Sequence, residues 1–330
     1  MGGQFCAARV TCLTHRKFLF ALVFVFALNG NKLGIVAMSD KSKFLQLTEA
    51  PPPNCPFGSE VDTPILFHYT GFDTLISIAN SKELWATNIH YLNDQEEFKN
   101  AFSITKALIN NEKKKHGNKA DHFFDKVLKE IHGIEKLNVH IVSFTANGDL
   151  LSQWRAYCPK GGVSIGFRYN DLKTLAKRNN FEVRKCIYDE TIKREILQEV
   201  IDIHLEFLEE GEPIQNLTKG FIAILAKVAP CFKNQAFEEE QEWRLISDLV
   251  SVKNKNIGIR ATADTMFPYY RFDLNGLEDI KSKRNLSFDR YVIGPSAHSN
   301  LSSDAFGYFL NKYDLHLDVI VNSNIPYRTF

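Results

Sequence analysis

Apolar positions along this chain switch between a period near two and a period near 3.6, which predicts short strands interleaved with helices. Ile65-Leu66-Phe67-His68-Tyr69 reads as a first strand, and Thr70-Gly71 opens a helix with Leu75, Ile76, Ile78 and Ala79 at helical spacing. Leu84-Trp85-Ala86-Thr87 is a second strand, leading to the polar run Asn93-Asp94-Gln95-Glu96-Glu97. From about 96 to 136 the pattern is helical, with lysines on the exposed face. Val139 to Phe144 alternates as a strand, Leu151 to Tyr157 as a short helix, and Gly162 to Phe167 as another strand. Long amphipathic helices fill about 190 to 228. Strands follow at 243–246, 290–293 and 317–321, with a helix over about 303–313 between the last two. No internal repeat interrupts the series.

These elements form one globular domain over 64–330, mixed in α and β content. Residues 38–63 hold Pro51, Pro52, Pro53 and Pro56 and read as a linker or extended arm. Upstream, His15, Arg16 and Lys17 precede the apolar run Phe18 to Leu28. That run is shorter than the roughly 20 residues that cross a bilayer but suits a signal peptide. Two readings stay open for 1–37: a leader that exports or anchors the protein, or a piece upstream of a start at Met38, which leaves it cytoplasmic. The cysteines favour a reducing compartment, because Cys6, Cys12, Cys55, Cys158, Cys186 and Cys231 form no Cys-x-x-Cys pair and lack zinc-finger spacing, so no metal is expected.

A hydrophobic content of 44% is enough to build a core without staples. The net charge of +1, with neither sign in long blocks, argues against generic nucleic-acid binding.

Several residues carry candidate chemistry. His68 ends the first strand, where an imidazole can hydrogen-bond a ribose hydroxyl or act as a base; the other reading is a half-buried histidine on a backbone carbonyl. Strand alternation turns Tyr69 to the opposite face. Asn93 and Asp94 belong to a site or cap the next helix. Ser143 ends a strand, and Gln153, Trp154, Arg155 and Tyr157 follow on adjacent turns. Trp154 and Tyr157, three apart, suit stacking on a planar ring or packing in the core. In Phe237-Glu238-Glu239-Glu240-Gln241-Glu242-Trp243-Arg244, the spacing of two puts Glu240, Glu242 and Arg244 on one strand face. Carboxylates so placed can hold a sugar hydroxyl and stabilise an oxocarbenium-like charge; the alternative is a solvated acidic face with a Glu–Arg pair.

In this order, Leu66 to Thr70, Leu84-Trp85 with Asn93-Asp94, Ser143-Phe144, Trp154 to Tyr157, Gly162 to Phe167, Phe237 to Arg244, Ile293-Gly294-Pro295 and Ser323 to Arg328 resemble the bacterial family known as domain of unknown function 2971. The likeness covers roughly 64–328. The opening strand, helix and strand look, more distantly, like the start of the ADP-ribosyltransferase fold. That likeness implies an α+β fold with a largely antiparallel central sheet and peripheral helices, and NAD as the cofactor.

It also implies that His68 binds a ribose hydroxyl and that Glu242 or Glu240 is the late glutamate, stabilising the cation formed as nicotinamide leaves. Trp85 or Tyr91 would stack on the ligand. Tyr69, Asn93, Asp94, Ser143, Gln153, Trp154, Arg155, Tyr157 and Arg244 would complete the pocket. The expected function is ADP-ribose transfer from NAD to an acceptor the sequence does not identify. A second reading is a non-catalytic nucleotide-binding or sensor module of a bacterial defence or stress system.

Overall fold

A computed structural model of the chain describes residues 27–28, 31–32, 42–49, 64–92, 95–116, 118–134, 138–262, 264–277, 286–296, 299–315 and 320–326. The apolar run of the leader, Asn93 and Asp94 lie outside these residues almost entirely.

Apart from the two-residue strands Ala27–Leu28 and Asn31–Lys32, which pair only with each other among the described residues, the strands are β1 (Ile65–Thr70), β2 (Glu83–Asn88), β3 (His140–Thr145), β4 (Val163–Arg168), β5 (Phe181–Lys185), β6 (Glu242–Ser247), β7 (Ile257–Ala261), β8 (Met266–Asp273), β9 (Arg290–Ile293) and β10 (Ile320–Asn322). The helices are α1 (Lys43–Glu49), α2 (Phe72–Ser81), α3 (Gln95–Glu112), α4 (Asn118–Ile134), α5 (Leu151–Tyr157), α6 (Tyr169–Asn179), α7 (Glu190–Glu209), α8 (Ile214–Val228) and α9 (Ser299–Lys312). The strands join in one sheet with the order β10, β9, β4, β1, β3, β2, β8, β7, and with β6 and β5 branching from β3. Its ladders are antiparallel except for β9 beside β10. The expected mixed α+β architecture with a largely antiparallel sheet and flanking helices is therefore present.

The branch at β3 shapes the molecule. Ile141 is opposite both Thr87 of β2 and Ile246 of β6, while Thr145 is opposite both Phe67 of β1 and Glu242 of β6. A strand has two edges, so β1 and β2 share the edge that β6 does not occupy. β1 holds that edge at Thr145 alone, and β2 takes over at Ile141 and His140. Between these points β1 and β3 part.

Side-chain alternation divides the core around this sheet. On one face Ile141 and Ile246 pack against α3, α4, α7 and α8, where Phe102, Phe123 and Phe221 are fully buried. A smaller group on β1 and α5, with Phe67, Tyr69 and Trp154, is separate from it. Leu66, Phe144, Phe167, Trp243 and Leu245 turn to the other face, under α2, α6 and α9. Each large apolar side chain removed from water contributes roughly 1.5–3 kcal/mol, which is what holds helices of modest propensity to the sheet.

Sequence patterning misses several elements, for physical reasons. Residues 43–49 fall within the expected linker, yet they form α1, with Phe44 and Leu45 buried. Glu49 of this helix pairs with Arg184 of β5, and Arg184 also pairs with Glu182 at 2.6 Å. Arg184 is only 3% exposed, so the Glu182–Arg184 charges of this strand form a largely buried ion network, and the charge-rich sequence masks the strand. In β8, Pro268 argues against a strand, but pairing with β2 begins only at Tyr269, so the strand has a vacant edge at the proline.

One glycine controls how α5 approaches the sheet. A Cβ on Gly148 would sit 2.5 Å from the ring of Phe67, which is completely buried. Gly148→Ala is therefore expected to destabilise the protein by about 1–3 kcal/mol, read as a lower midpoint in urea unfolding with an unchanged slope.

Candidate functional site

Where β1 leaves β3 there is a small, partly open cleft. Its walls are Phe67, His68 and Tyr69 from β1, Ser143 and Phe144 from β3, Gln153 and Tyr157 from α5, and Glu240 and Glu242 at the entrance to β6. Continued pairing beyond Phe67–Thr145 would set His68 opposite Phe144 and Tyr69 opposite Ser143. These residues line the cleft because that pairing stops.

The parting also explains how His68 and Glu242 meet. Alternation puts His68 on the face of Leu66 and Glu242 on the face of Ile246, so an unbroken sheet would separate them. His68 Nδ1 instead reaches across the gap to the Ser143 carbonyl at 3.0 Å. A carbonyl only accepts, so Nδ1 carries the proton and the neutral ring keeps Nε2 as an acceptor. Burial lowers the His68 pKa from 6.5, and the bond to Ser143 only partly opposes this. The ring is therefore neutral at pH 7.

Tyr69 fixes the roof. Its hydroxyl accepts from the Leu150 amide at 2.8 Å and donates to the Asn147 carbonyl at 2.9 Å, tying the start of α5 to β1. Burial holds the phenol well above its usual pKa, so it stays protonated. From α5, Gln153 is 7% exposed, and its amide makes no hydrogen bond to the described residues. Tyr157, by contrast, is 49% exposed at the rim.

The acidic wall is built on Lys233. After this residue, Asn234 caps a short 3-10 helix, Gln235–Glu240, by accepting from the Ala236 amide at 2.9 Å. Gln241 then takes a left-handed conformation, φ 43°, and the chain enters β6. This loop returns both carboxylates to one ammonium: Lys233 Nζ lies 2.5 Å from Glu240 and 2.6 Å from Glu242. Arg244 adds bonds to Glu242 from Nε at 2.8 Å and Nη2 at 3.1 Å. Burial raises the Glu242 pKa, but Arg244 and Lys233 outweigh it and hold the group at about 2. Burial alone would lower Lys233, yet its carboxylate partners raise it. The four groups form a buried, electrically balanced cluster.

Glu240 and Glu242 therefore differ. Both oxygens of Glu242, which is 4% exposed, are engaged by cations. Glu240 keeps one oxygen without a hydrogen-bond partner among the described residues. The spacing of two reflects a common strand face only for Glu242 and Arg244; Glu240 is brought in by the turn at Gln241.

Other expected site residues lie elsewhere. Trp85 stacks on Tyr269, ring centroids 4.3 Å apart, and Tyr91 packs edge-on against Phe267; neither lines the cleft. Trp154 is in the core against Tyr69, its Nε1 donating to Asp149 at 2.7 Å. Arg155 is exposed outside the lining, and Arg244 stands behind Glu242 and donates to the Pro230 carbonyl. Lys233, which organises the acidic wall, carries no signal at the level of sequence: a single lysine in Phe232-Lys233-Asn234 resembles any surface lysine.

Residues 153–245 match the model of a family described as Protein of unknown function (DUF2971). The match supports the expected family. The DUF2971 stretch runs from α5 into β6, so it contains Gln153, Tyr157, Lys233, Glu240 and Glu242, while His68 and Ser143 precede it. No curated protein and no solved structure matches the chain, so the likeness to the ADP-ribosyltransferase fold has no structural neighbour behind it. Among the described residues, no helix is long and apolar enough to cross a membrane.

Proposed function

We propose that this cleft binds NAD and that the protein is an ADP-ribosyltransferase-like enzyme. The single observation that carries the reading is the convergence of a neutral imidazole, a carboxamide without a partner among the described residues and a partly engaged carboxylate on one cleft. Gln153 offers a donor and an acceptor side by side, the complement of the nicotinamide carboxamide. Tyr157 supplies a ring at the rim for stacking, and His68 Nε2 accepts from a ribose hydroxyl.

In the reaction, the bond between ribose C1′ and the nicotinamide nitrogen breaks with its electron pair leaving on nicotinamide. The carboxylate of Glu240 stabilises the cation left on the sugar, and the acceptor's lone pair closes on C1′ as the acceptor releases its proton to solvent. Lys233 and Arg244, by neutralising Glu242, hold Glu240 in a site of no net charge.

The test is nicotinamide release from NAD by the purified chain, alongside calorimetric titration of NAD. Turnover supports the enzyme. Binding without release supports the sensor module, a reading that the complete engagement of Glu242 by cations favours. Failure of both removes the cleft from nucleotide chemistry.

The state of His68 adds a pH dependence. Its proton-free Nε2 is needed and its pKa is lowered, so NAD affinity is expected to stay level from pH 8 to 7 and to fall only below 6.5. A loss centred at or above 6.5, measured by titration at stepped pH, contradicts that role.

A further inference from the structure

Away from the cleft, the outer face of β2, β8 and β7 carries aromatic and cationic side chains in the open. The ladder registers Arg271 with Trp85, Tyr269 with Thr87 and Gly258, and Phe267 with Arg260, and a period of two puts all of these on one face. The opposite face of the same strands holds the buried Leu84, Ala86, Tyr270 and Phe272. Trp85 is 43% exposed and Tyr91, just past β2, is 42% exposed. Large aromatics normally go inward, so an open row of them marks a contact surface.

The row is ordered. Trp85 and Tyr269 stack at 4.3 Å with 23° between their planes. The absent side chain of Gly258 leaves room for the Tyr269 ring, which would lie 2.5 Å from a Cβ there. Phe267 has Tyr91 edge-on at 5.6 Å and the Arg260 guanidinium over its ring at 5.4 Å.

The charges select the partner. Arg260 and Arg271 are exposed on this face, and the loop entering β7 adds exposed Lys253 and Lys255. The acidic groups, Glu83 and Asp273, face each other at the far end of the β2–β8 ladder, and Asp264 is at the hairpin tip. We infer that this face is a binding platform for single-stranded nucleic acid, with bases stacking on Trp85 and Tyr91 and phosphates meeting Arg260 and Arg271. Such a platform is local and does not require a basic protein, so a net charge of +1 is compatible with it. It is independent of the cleft and of any turnover of NAD.

The test is fluorescence anisotropy of labelled single-stranded RNA and DNA of about 12 nucleotides, with wild-type protein and with Trp85→Ala and Arg260→Gln. Both sites are exposed, and thermal melts confirm that the variants fold. Trp85→Ala is expected to weaken binding at least about tenfold. Arg260→Gln should make the slope of log affinity against log salt shallower by about one. Tighter binding of RNA than of DNA assigns the 2′-hydroxyl a contact, and equal binding assigns recognition to stacking and phosphate alone; both support the platform. No binding of either strand at low salt, or binding unchanged by Trp85→Ala, overturns it. So does sedimentation showing that this face closes a dimer of the chain that Trp85→Ala dissolves.

Discussion

Glu242→Ala is expected to cost about 3–5 kcal/mol of folding stability, enough to threaten a typical domain. The reason lies in what remains. Lys233 is 5% exposed and Arg244 3%, and without Glu242 two buried cations stand close together with one carboxylate fewer to balance them. Removing one partner of a buried pair is costly because the other cannot return to water. Denaturant unfolding should show a much lower midpoint for the variant.

The same cluster fixes the acid limb of stability. The Glu242 pKa falls on folding from an ordinary 4.5 to about 2, so its contribution is complete above the unfolded value and disappears as pH drops through the folded one. At 1.36 kcal/mol per unit this is on the order of 3 kcal/mol, lost between about pH 4.5 and pH 2. Lys233 shifts upward, so its contribution persists through neutral pH and is lost only at strongly alkaline pH. In Glu242→Gln, stability should fall less steeply over that acid window than in the parent.

The second large effect is expected at Glu240. Its side chain is 16% exposed and bonds Lys233, which keeps Glu242 as a partner when Glu240 is neutralised. Glu240→Gln retains shape and an acceptor while removing the charge that would face a developing sugar cation. NAD turnover should drop about 10²-fold or more, the usual effect of deleting a preorganised electrostatic group, with a smaller loss of stability than in Glu242→Ala. Glu240, rather than Glu242, is thus the position at which chemistry and stability can be separated.

Much of the fold was legible because most elements follow their hydrophobic period. β1, β2, β3, β4 and α5 fall where alternation and helical spacing put them. α6 and β7 also went unread, and three of the exceptions have local causes: paired charges hide β5, a proline on an edge not paired with β2 hides β8, and a seven-residue helix in a proline-rich setting hides α1.

The site was less legible, because it is made by an interruption. Alternation assigns faces within a strand but cannot tell where two strands stop pairing, and that stop at Phe67–Thr145 admits His68 beside Glu242. Aromatic type misled in both directions. Of the two readings open for Trp154, ligand stacking and core packing, the core holds, whereas Trp85 lies on an open face away from the cleft. The spacing of Glu240 and Glu242 was informative only through a left-handed Gln241 that strand periodicity does not anticipate.

The proposal for the cleft is tested most directly by nicotinamide release from NAD, measured side by side for the parent chain and for Glu240→Gln at matched thermal stability. Sustained release by the parent and its near-complete loss in the variant is the predicted result. Equal release by the two, or none by the parent, would contradict the assignment of this cleft to glycosyl transfer from NAD.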